Sequence, residues 1–328
     1  HGYFIQDDIR TLDQFGEWYY DTTARMMNMY FGTTVPSSYS VRVSVIDTLF
    51  NANSRSNVSI SNINFEGANL SGVYGYFGDY LTVKNCDFTN IGNRAIHFYG
   101  CGYVTLDGLN IYNCMSTSIQ VIASSASNAI VRNCVVRNNG QVAGMGSFFD
   151  DSDYKAMYVS VGNTATIEDN VVDSTGAAGI QFMGSNVLIQ RNYVNYFCNI
   201  THDNGGIYTY ANGTDAAPGV TYTNRIVRNN VIGNGISAPA GTNSGSPFCA
   251  GIYLDGRSMN VLVQDNTIFN SSKNGVHCNN PASVTIRGNT FFNNLQDISF
   301  MRWGWGSISN LNIKKNVSFP FTTTQRNI

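Results

Sequence analysis

Val58-Ser-Ile60-Ser-Asn-Ile63-Asn-Phe65, Leu81-Thr-Val83-Lys-Asn-Cys86-Asp-Phe88 and Val104-Thr-Leu106-Asp-Gly-Leu109-Asn-Ile111 are three copies of one pattern. Each is an alternating strand, a short polar corner and a second apolar pair. The pattern recurs ten times, and the second aliphatic positions fall at 60, 83, 106, 131, 167, 189, 227, 263, 286 and 313. A base step of 23 with strand-type alternation is too short for a helical repeat or a propeller blade. It fits one coil of a right-handed single-stranded parallel β-helix, an all-β solenoid in which each turn donates three short strands to three stacked sheets.

Stacking sets equivalent residues about 4.8 Å apart, so like residues form columns. The corner column runs Ile63, Cys86, Leu109, Cys134, Asn170, Asn192, Asn230, Asn266, Asn289 and Asn316. Its six asparagines can bond one another's amides and the backbone, which satisfies a buried corner. A second strand aligns in each coil, as in Gly206-Ile-Tyr208-Thr-Tyr210, Gly251-Ile-Tyr253-Leu-Asp255 and Gly275-Val-His277-Cys-Asn279. Period-two alternation sends Ile207, Ile252 and Leu254 inward. It sends His97, Gln120, Tyr158, Gln181, Tyr208, Tyr210, Tyr253, Asp255, His277 and Asn279 outward, giving one sheet a polar and aromatic outer face. Insertions at 140–155, 196–205 with 211–224, and 234–250 adjoin that face and are expected to wall a cleft around Tyr208, Tyr210, Tyr253 and Asp255.

Residues 1–40 lack the repeat and are expected to form a lead-in hairpin or cap, with the β-helix over 41–328 as one domain. The opening His1-Gly2-Tyr3 points to a processed or excised chain. Charged residues make up 12% and the net charge is −2, so no basic footprint for nucleic acid exists. No apolar run is long enough to insert in a membrane as a helix. A weakly charged polar partner fits best. The abundance of Tyr and Asn beside few Lys points to a secreted, cell-surface or periplasmic protein, and a monomer is expected.

The coils over roughly 41–318 resemble the right-handed parallel β-helix (pectate-lyase-like) superfamily. More narrowly, Gly16-Glu-Trp-Tyr-Tyr-Asp21, His202-Asp203-Asn-Gly-Gly206-Ile-Tyr-Thr209 and Gly251-Ile-Tyr-Leu-Asp-Gly256 resemble secreted β-helix glycoside hydrolases, including β-xylosidases and fucosidase- or xylanase-like enzymes. The resemblance implies a glycan-cleaving enzyme with an oligo- or polysaccharide substrate.

Glycoside hydrolysis needs two carboxyl groups flanking the scissile bond. Asp203 and Asp255 are the candidates, because each adjoins the aromatic strand on consecutive coils; Asp203 is read as lying three residues before its strand. The alternative is that both cap turns, as Asp-Asn-Gly and Asp-Gly sequences do. Asp153, in the same position before its own strand, is a reserve candidate. His202, Tyr158, Gln181, Tyr208, Tyr210, Tyr253 and His277 are candidate substrate contacts, though a tyrosine column also stabilises a sheet by itself.

Two other readings stay open. A polysaccharide lyase would need a base and a cation, for which Lys155 and Arg257 are available. A non-catalytic glycan-binding solenoid needs neither. Asp150-Asp-Ser-Asp153 is acidic enough for calcium but lacks a spaced ligand loop and closing glutamate, so it reads as a solvated loop, and no metal or cofactor is expected. The seven cysteines are odd in number and include no Cys-x-x-Cys pair. Cys86 and Cys134 belong to the buried corner column, while Cys198 and Cys249 lie in two insertions and, if oxidised together, would pin them.

Overall fold

The computed structural model describes residues 5, 7–123, 127–142, 153–211, 221–238, 247–302, 304, 307–321 and 324–326. The chain forms two compact units, His1–Ser44 and Val45–Ile328. In the first, Trp18–Asp21 pairs antiparallel with Met26–Met29, Trp18 opposite Met29 and Asp21 opposite Met26. The Asp21 carboxylate closes the hairpin turn by accepting from the amides of Thr23 and Ala24, both at 2.8 Å.

The second unit is the solenoid: three parallel sheets of ten strands each. The first sheet runs from Ser59–Ser61 to Ser309–Lys314, the second from Asn64–Glu66 to Val317–Phe319, and the third from Thr48–Asn51 to Gln296–Met301. No helix among the described residues is long and apolar enough to cross a membrane.

Alternation in the short strands produces the core. Leu81–Lys84 and Val104–Asp107 each alternate buried and half-buried positions. The register places Ile60 beside Val83, Val83 beside Leu106 and Leu106 beside Val131. The same column continues through Ile167, Ile189, Val227, Val263 and Ile286. All of these side chains are buried, and each contributes about 1.5–3 kcal/mol by leaving water. Phe65 and Phe88 stack inside at 4.7 Å.

Between the first and second sheets the chain must turn sharply, and one residue per coil takes it round. Asn62, Asn85, Gly108, Asn133, Asp169, Arg191, Asn229, Asp265, Gly288 and Lys315 all have φ between 50° and 68°. Gly, Asn and Asp tolerate this left-handed region, and Arg191, which does not share that tolerance, is paired with Glu168 and Asp169 of the coil before. The turned corner exposes the next residue's amide, and the asparagine column answers it. The Oδ1 of Asn192, Asn230, Asn266, Asn289 and Asn316 each accepts the backbone N–H of the preceding asparagine in the column at 3.0–3.1 Å. Each Nδ2 in turn donates to a carbonyl one coil back, as Asn170 does to Val131 and Asn230 to Ile189. Asn170 Oδ1 receives the amide of Cys134 at 2.9 Å and joins the column to its apolar part.

Cys86, Leu109 and Cys134 are buried as expected, but Ile63 is not: it is 42% exposed. Its coil lies at the end of the first and second sheets, so stacking covers it from one side alone.

The column makes a measurable claim. Asn230→Leu removes the acceptor for the Asn192 amide and strips the donor from Ile189 O, at an expected cost of about 2 kcal/mol or more in urea unfolding. Asn110→Ala breaks the exposed hydrogen bond to Asp87 and should cost about 1 kcal/mol or less. Equal costs for the two variants would contradict the column's role.

Candidate active site

The third sheet carries the candidate site, and its register builds two outward columns. One runs Tyr74, His97, Gln120, Tyr158, Gln181, Tyr208, Tyr253, His277 and Ser299. The other contains Tyr76, Tyr99, Ile122, Ser160 and Met183, then Tyr210 beside Asp255, and Asn279 beside Met301. The outward parity read from the sequence is therefore correct.

Exposure does not follow parity. Gln120, Gln181, Tyr253, His277 and Asn279 are all buried, whereas Tyr158, Tyr208, Tyr210 and Asp255 are half-buried. Near the centre the cover is visible: the Phe248 ring stands edge-on to Tyr253 at 5.1 Å and to His277 at 4.8 Å. Of the insertions expected to wall the cleft, 143–152, 212–220 and 239–246 lie outside the described residues, as do Asp150 to Ser152 of the acidic run, whereas 196–205 lies within them.

Asp203 and Asp255 come together through one hydrogen-bond network. Tyr208 Oη donates to Asp255 Oδ2 at 3.0 Å, and Tyr253 Oη donates to Asp203 Oδ1 at 3.4 Å. Asn279 Nδ2 bridges, donating to Tyr253 Oη at 2.8 Å and to Asp255 Oδ1 at 2.7 Å. Behind it, His277 Nε2 lies 2.8 Å from Asn279 Oδ1, and Asn274 Nδ2 lies 3.3 Å from His277 Nδ1. Asp255 also caps its own turn, because Oδ1 accepts the Gly256 amide at 2.7 Å. Turn-capping and site roles thus share one carboxylate.

Asp203 differs. Its strand starts at Asn204, so it precedes the strand directly rather than by three residues, with a left-handed φ of 59°. Its amide donates to Phe248 O at 2.8 Å, and the hydrogen bond its carboxyl accepts comes from Tyr253. Burial and the charge of Asp255 push the Asp203 carboxyl above the ordinary carboxylate range, against smaller opposing effects of His202 and Tyr253. The residue as a whole remains exposed, so solvent screening keeps this rise modest. Burial likewise raises the Tyr208 and Tyr253 hydroxyls, helped by the two aspartates, and lowers His277.

The reserve residues do not join this network. Asp153 is buried two coils away, 3.4 Å from the Arg94 guanidinium and accepting from Ser116 Oγ at 2.8 Å. An aspartate neutralised by a buried cation is a structural ion pair, not a free acid. Lys155 is also buried, its Nζ 5.5 Å from the centre of the Tyr158 ring, and Arg257 is half-buried beyond the Asp255 turn. Gln181 sits beside Tyr208, and among the described residues neither its buried Oε1 nor the buried Nδ1 of His202 has a hydrogen-bond partner. Cys198 and Cys249, the pair that would pin two insertions if oxidised, are buried thiols here. Asn279, Asn274 and Phe248 are the site residues that pattern reading did not assign. Asn279 was legible in principle, since it occupies the Asp255 position one coil on.

A raised carboxyl leaves the folded state holding a proton longer than the unfolded state does. The stability linked to Asp203 is therefore full below the unfolded value of about 3.9 and is lost as pH rises through the higher folded value. Asp203→Asn removes that loss, so its advantage in thermal midpoint over the native chain should grow from pH 4 to pH 7. A difference independent of pH would contradict the assignment.

No curated protein sequence matches the chain. Among solved structures, the catalytic unit of a thermostable GH87 alpha-1,3-glucanase from Streptomyces thermodiastaticus superposes with a TM-score of 0.63 at 13% identity, over 86% of this chain and 52% of that one. The Streptococcus pneumoniae surface protein and adhesin PfbA superposes with a TM-score of 0.53 at 12% identity, over 83% of this chain and 76% of that one. The chain thus spans about half the length of the glucanase unit, and at these identities the likeness concerns the fold. The sequence model of the right-handed beta helix region matches residues 41–194 and 146–319, which together take in nearly all of the repeat. With three parallel ten-stranded sheets built from those coils, the chain belongs to the right-handed β-helix family.

Proposed function

We propose that this protein is a glycoside hydrolase acting on a neutral or mildly acidic oligo- or polysaccharide, with Asp203 as proton donor and Asp255 as the ionised partner. The observation that carries the reading is the pair itself: two carboxyls from neighbouring coils linked through Tyr253 and Asn279. Cleavage of a glycosidic bond needs one protonated carboxyl for the leaving oxygen and one carboxylate as base or nucleophile. Asp203, whose ionisation is opposed by burial and by its neighbour's charge, suits the first task. Asp255 suits the second, because Tyr208, Asn279 and the Gly256 amide fix both its oxygens as acceptors.

The surroundings suit a sugar. Tyr208 and Tyr210 are half-buried rings 6.0 Å apart beside Asp255, able to lie against pyranose faces. Gln181 Oε1 and His202 Nδ1 find no partner among the described residues, and sugar hydroxyls would supply one. Tyr253 and His277 are covered by Phe248 and act from behind. The glucanase that shares this fold acts on an alpha-1,3-glucan, which makes that polymer a first substrate to test. A secreted or surface location belongs to the same proposal. Burial of Lys155 against Tyr158 weighs against a lyase that would use it as base.

A non-catalytic glycan-binding protein is the second reading. It is favoured by the burial of Gln120, Tyr253 and His277, which narrows the open face, and by the adhesin with the same fold.

The test is release of reducing sugar from a panel of neutral glycans and aryl glycosides, with absorbance monitored for unsaturated uronates. Asp203→Asn and Asp255→Asn should each lower turnover by about 10²–10⁴-fold with an unchanged circular dichroism spectrum. Full activity in both variants would defeat the proposal. Glycan binding without turnover would replace it with the second reading, and unsaturated products would replace it with a lyase.

A further inference from the structure

The turns that lead from the third sheet to the first repeat one backbone conformation. Asn57, Asn186, Asn224, Asn260 and Asn310 stand there with left-handed φ of 51–59°. Asparagine tolerates that region, whereas bulky residues seldom occupy it. Tyr80 and Tyr103 take the same place in two neighbouring coils, with φ of 58° and 55°. Phe77, in the first of these two turns, has φ of 52°. Backbone strain of this kind persists only where its surroundings impose it, and it concentrates at functional positions.

The strained turns produce an aromatic surface. Tyr80 and Tyr103 stack with ring centres 4.6 Å apart and planes 6° from parallel, and Tyr76 and Tyr99 stack at 5.6 Å and 19°. Phe77 stands edge-on to Tyr76 at 4.2 Å. Gly100 leaves room for it, since a Cβ there would fall 2.5 Å from the Phe77 ring. The five residues are 37–61% exposed, so stacking does not use up their faces. Four of them carry a hydroxyl, which gives flat apolar faces with polar rims. A pyranose ring is the complement, with C–H groups on its faces and hydroxyls around its edge. Tyr76 and Tyr99 also head the outward column that holds Tyr210 and Asp255. Tyr99 lies four coils from Tyr210, about 19 Å at the spacing of neighbouring strands.

We propose that Tyr76, Phe77, Tyr80, Tyr99 and Tyr103 form a second carbohydrate-binding platform, which takes a stretch of neutral polysaccharide whose continuation runs along the column toward Asp255. The inference rests on the carbohydrate reading of the third sheet but not on hydrolysis, because the platform holds the chain and touches no reacting bond. It makes the ligand a polymer, since a mono- or disaccharide beside Asp255 is too short to reach Tyr99. Two linked contacts on one polymer strengthen each other, because the second forms within a complex already made by the first.

The experiment compares the whole chain with the double variant Tyr80→Asn/Tyr103→Asn, which installs the residue that other coils use at this turn and so keeps the fold. Each protein is sedimented on ice with insoluble alpha-1,3-glucan and with insoluble xylan, and the bound fraction is measured. Turnover of aryl glycosides and sedimentation velocity without glycan are followed in parallel. The variant should bind at least one polymer about fivefold or more weakly, with an unchanged circular dichroism spectrum. It should also cleave as fast as the native chain any aryl glycoside that the native chain cleaves. Equal polymer binding by the two proteins, or no binding by the native chain, would overturn the proposal. A native dimer that becomes a monomer in the variant would overturn it in favour of a second copy of the chain on this surface. Tyrosine-dependent binding without any turnover would uphold the platform while the hydrolase reading fell.

Discussion

The backbone amide at each corner must find an acceptor in the neighbouring coil, and the rest of the structure depends on that requirement. A left-handed residue turns the chain between the first two sheets and leaves the following N–H pointing along the solenoid axis. In six successive coils an asparagine fills that following position, and in five of them its Oδ1 accepts the N–H of the asparagine one coil before. A buried amide without a partner would cost more than most single contacts in the protein contribute. The asparagine column therefore fixes which coil stacks on which residue. Register on one side of the solenoid determines register on the others, because all three sheets are threaded by the same turns.

Fixed register is what allows residues far apart in the chain to share a site. Tyr208 is paired with Tyr253 and Tyr210 with Asp255, so a one-residue slip would send Asp255 inward and break the network around it. Asp153 and Asp203 show how context separates two aspartates in similar positions. Arg94 and Ser116 hold the first as a buried ion pair, whereas the second faces another carboxylate, with Tyr253 as its donor. One is committed to an ion pair, and the other is held by a tyrosine hydroxyl.

Most of the architecture was readable from the chain because it rests on local rules. Period-two alternation gave the inward and outward sets, and the spacing of second aliphatic residues gave the coils. The column of asparagines was visible as a column from spacing alone. What escaped the reading depended on neighbours distant in sequence. Parity cannot show that Phe248 stands over Tyr253 and His277, nor that Arg94 reaches Asp153 from 59 positions away. The left-handed corner residues carried a signal in their Asn, Asp and Gly content, which Arg191 and, at the last coil, Lys315 obscured. Ile63 followed the pattern but sits where the stack ends.

The central claim is that coil register sets Asp203 and Asp255 against each other as an interacting carboxyl pair. The most direct measurement is a carbon-13 NMR titration of the Asp203 carboxyl in the native chain and in Asp255→Asn. The expected result is a native value above the ordinary carboxylate range that falls when Asp255 loses its charge. An Asp203 carboxyl that titrates identically in both proteins would contradict the pairing.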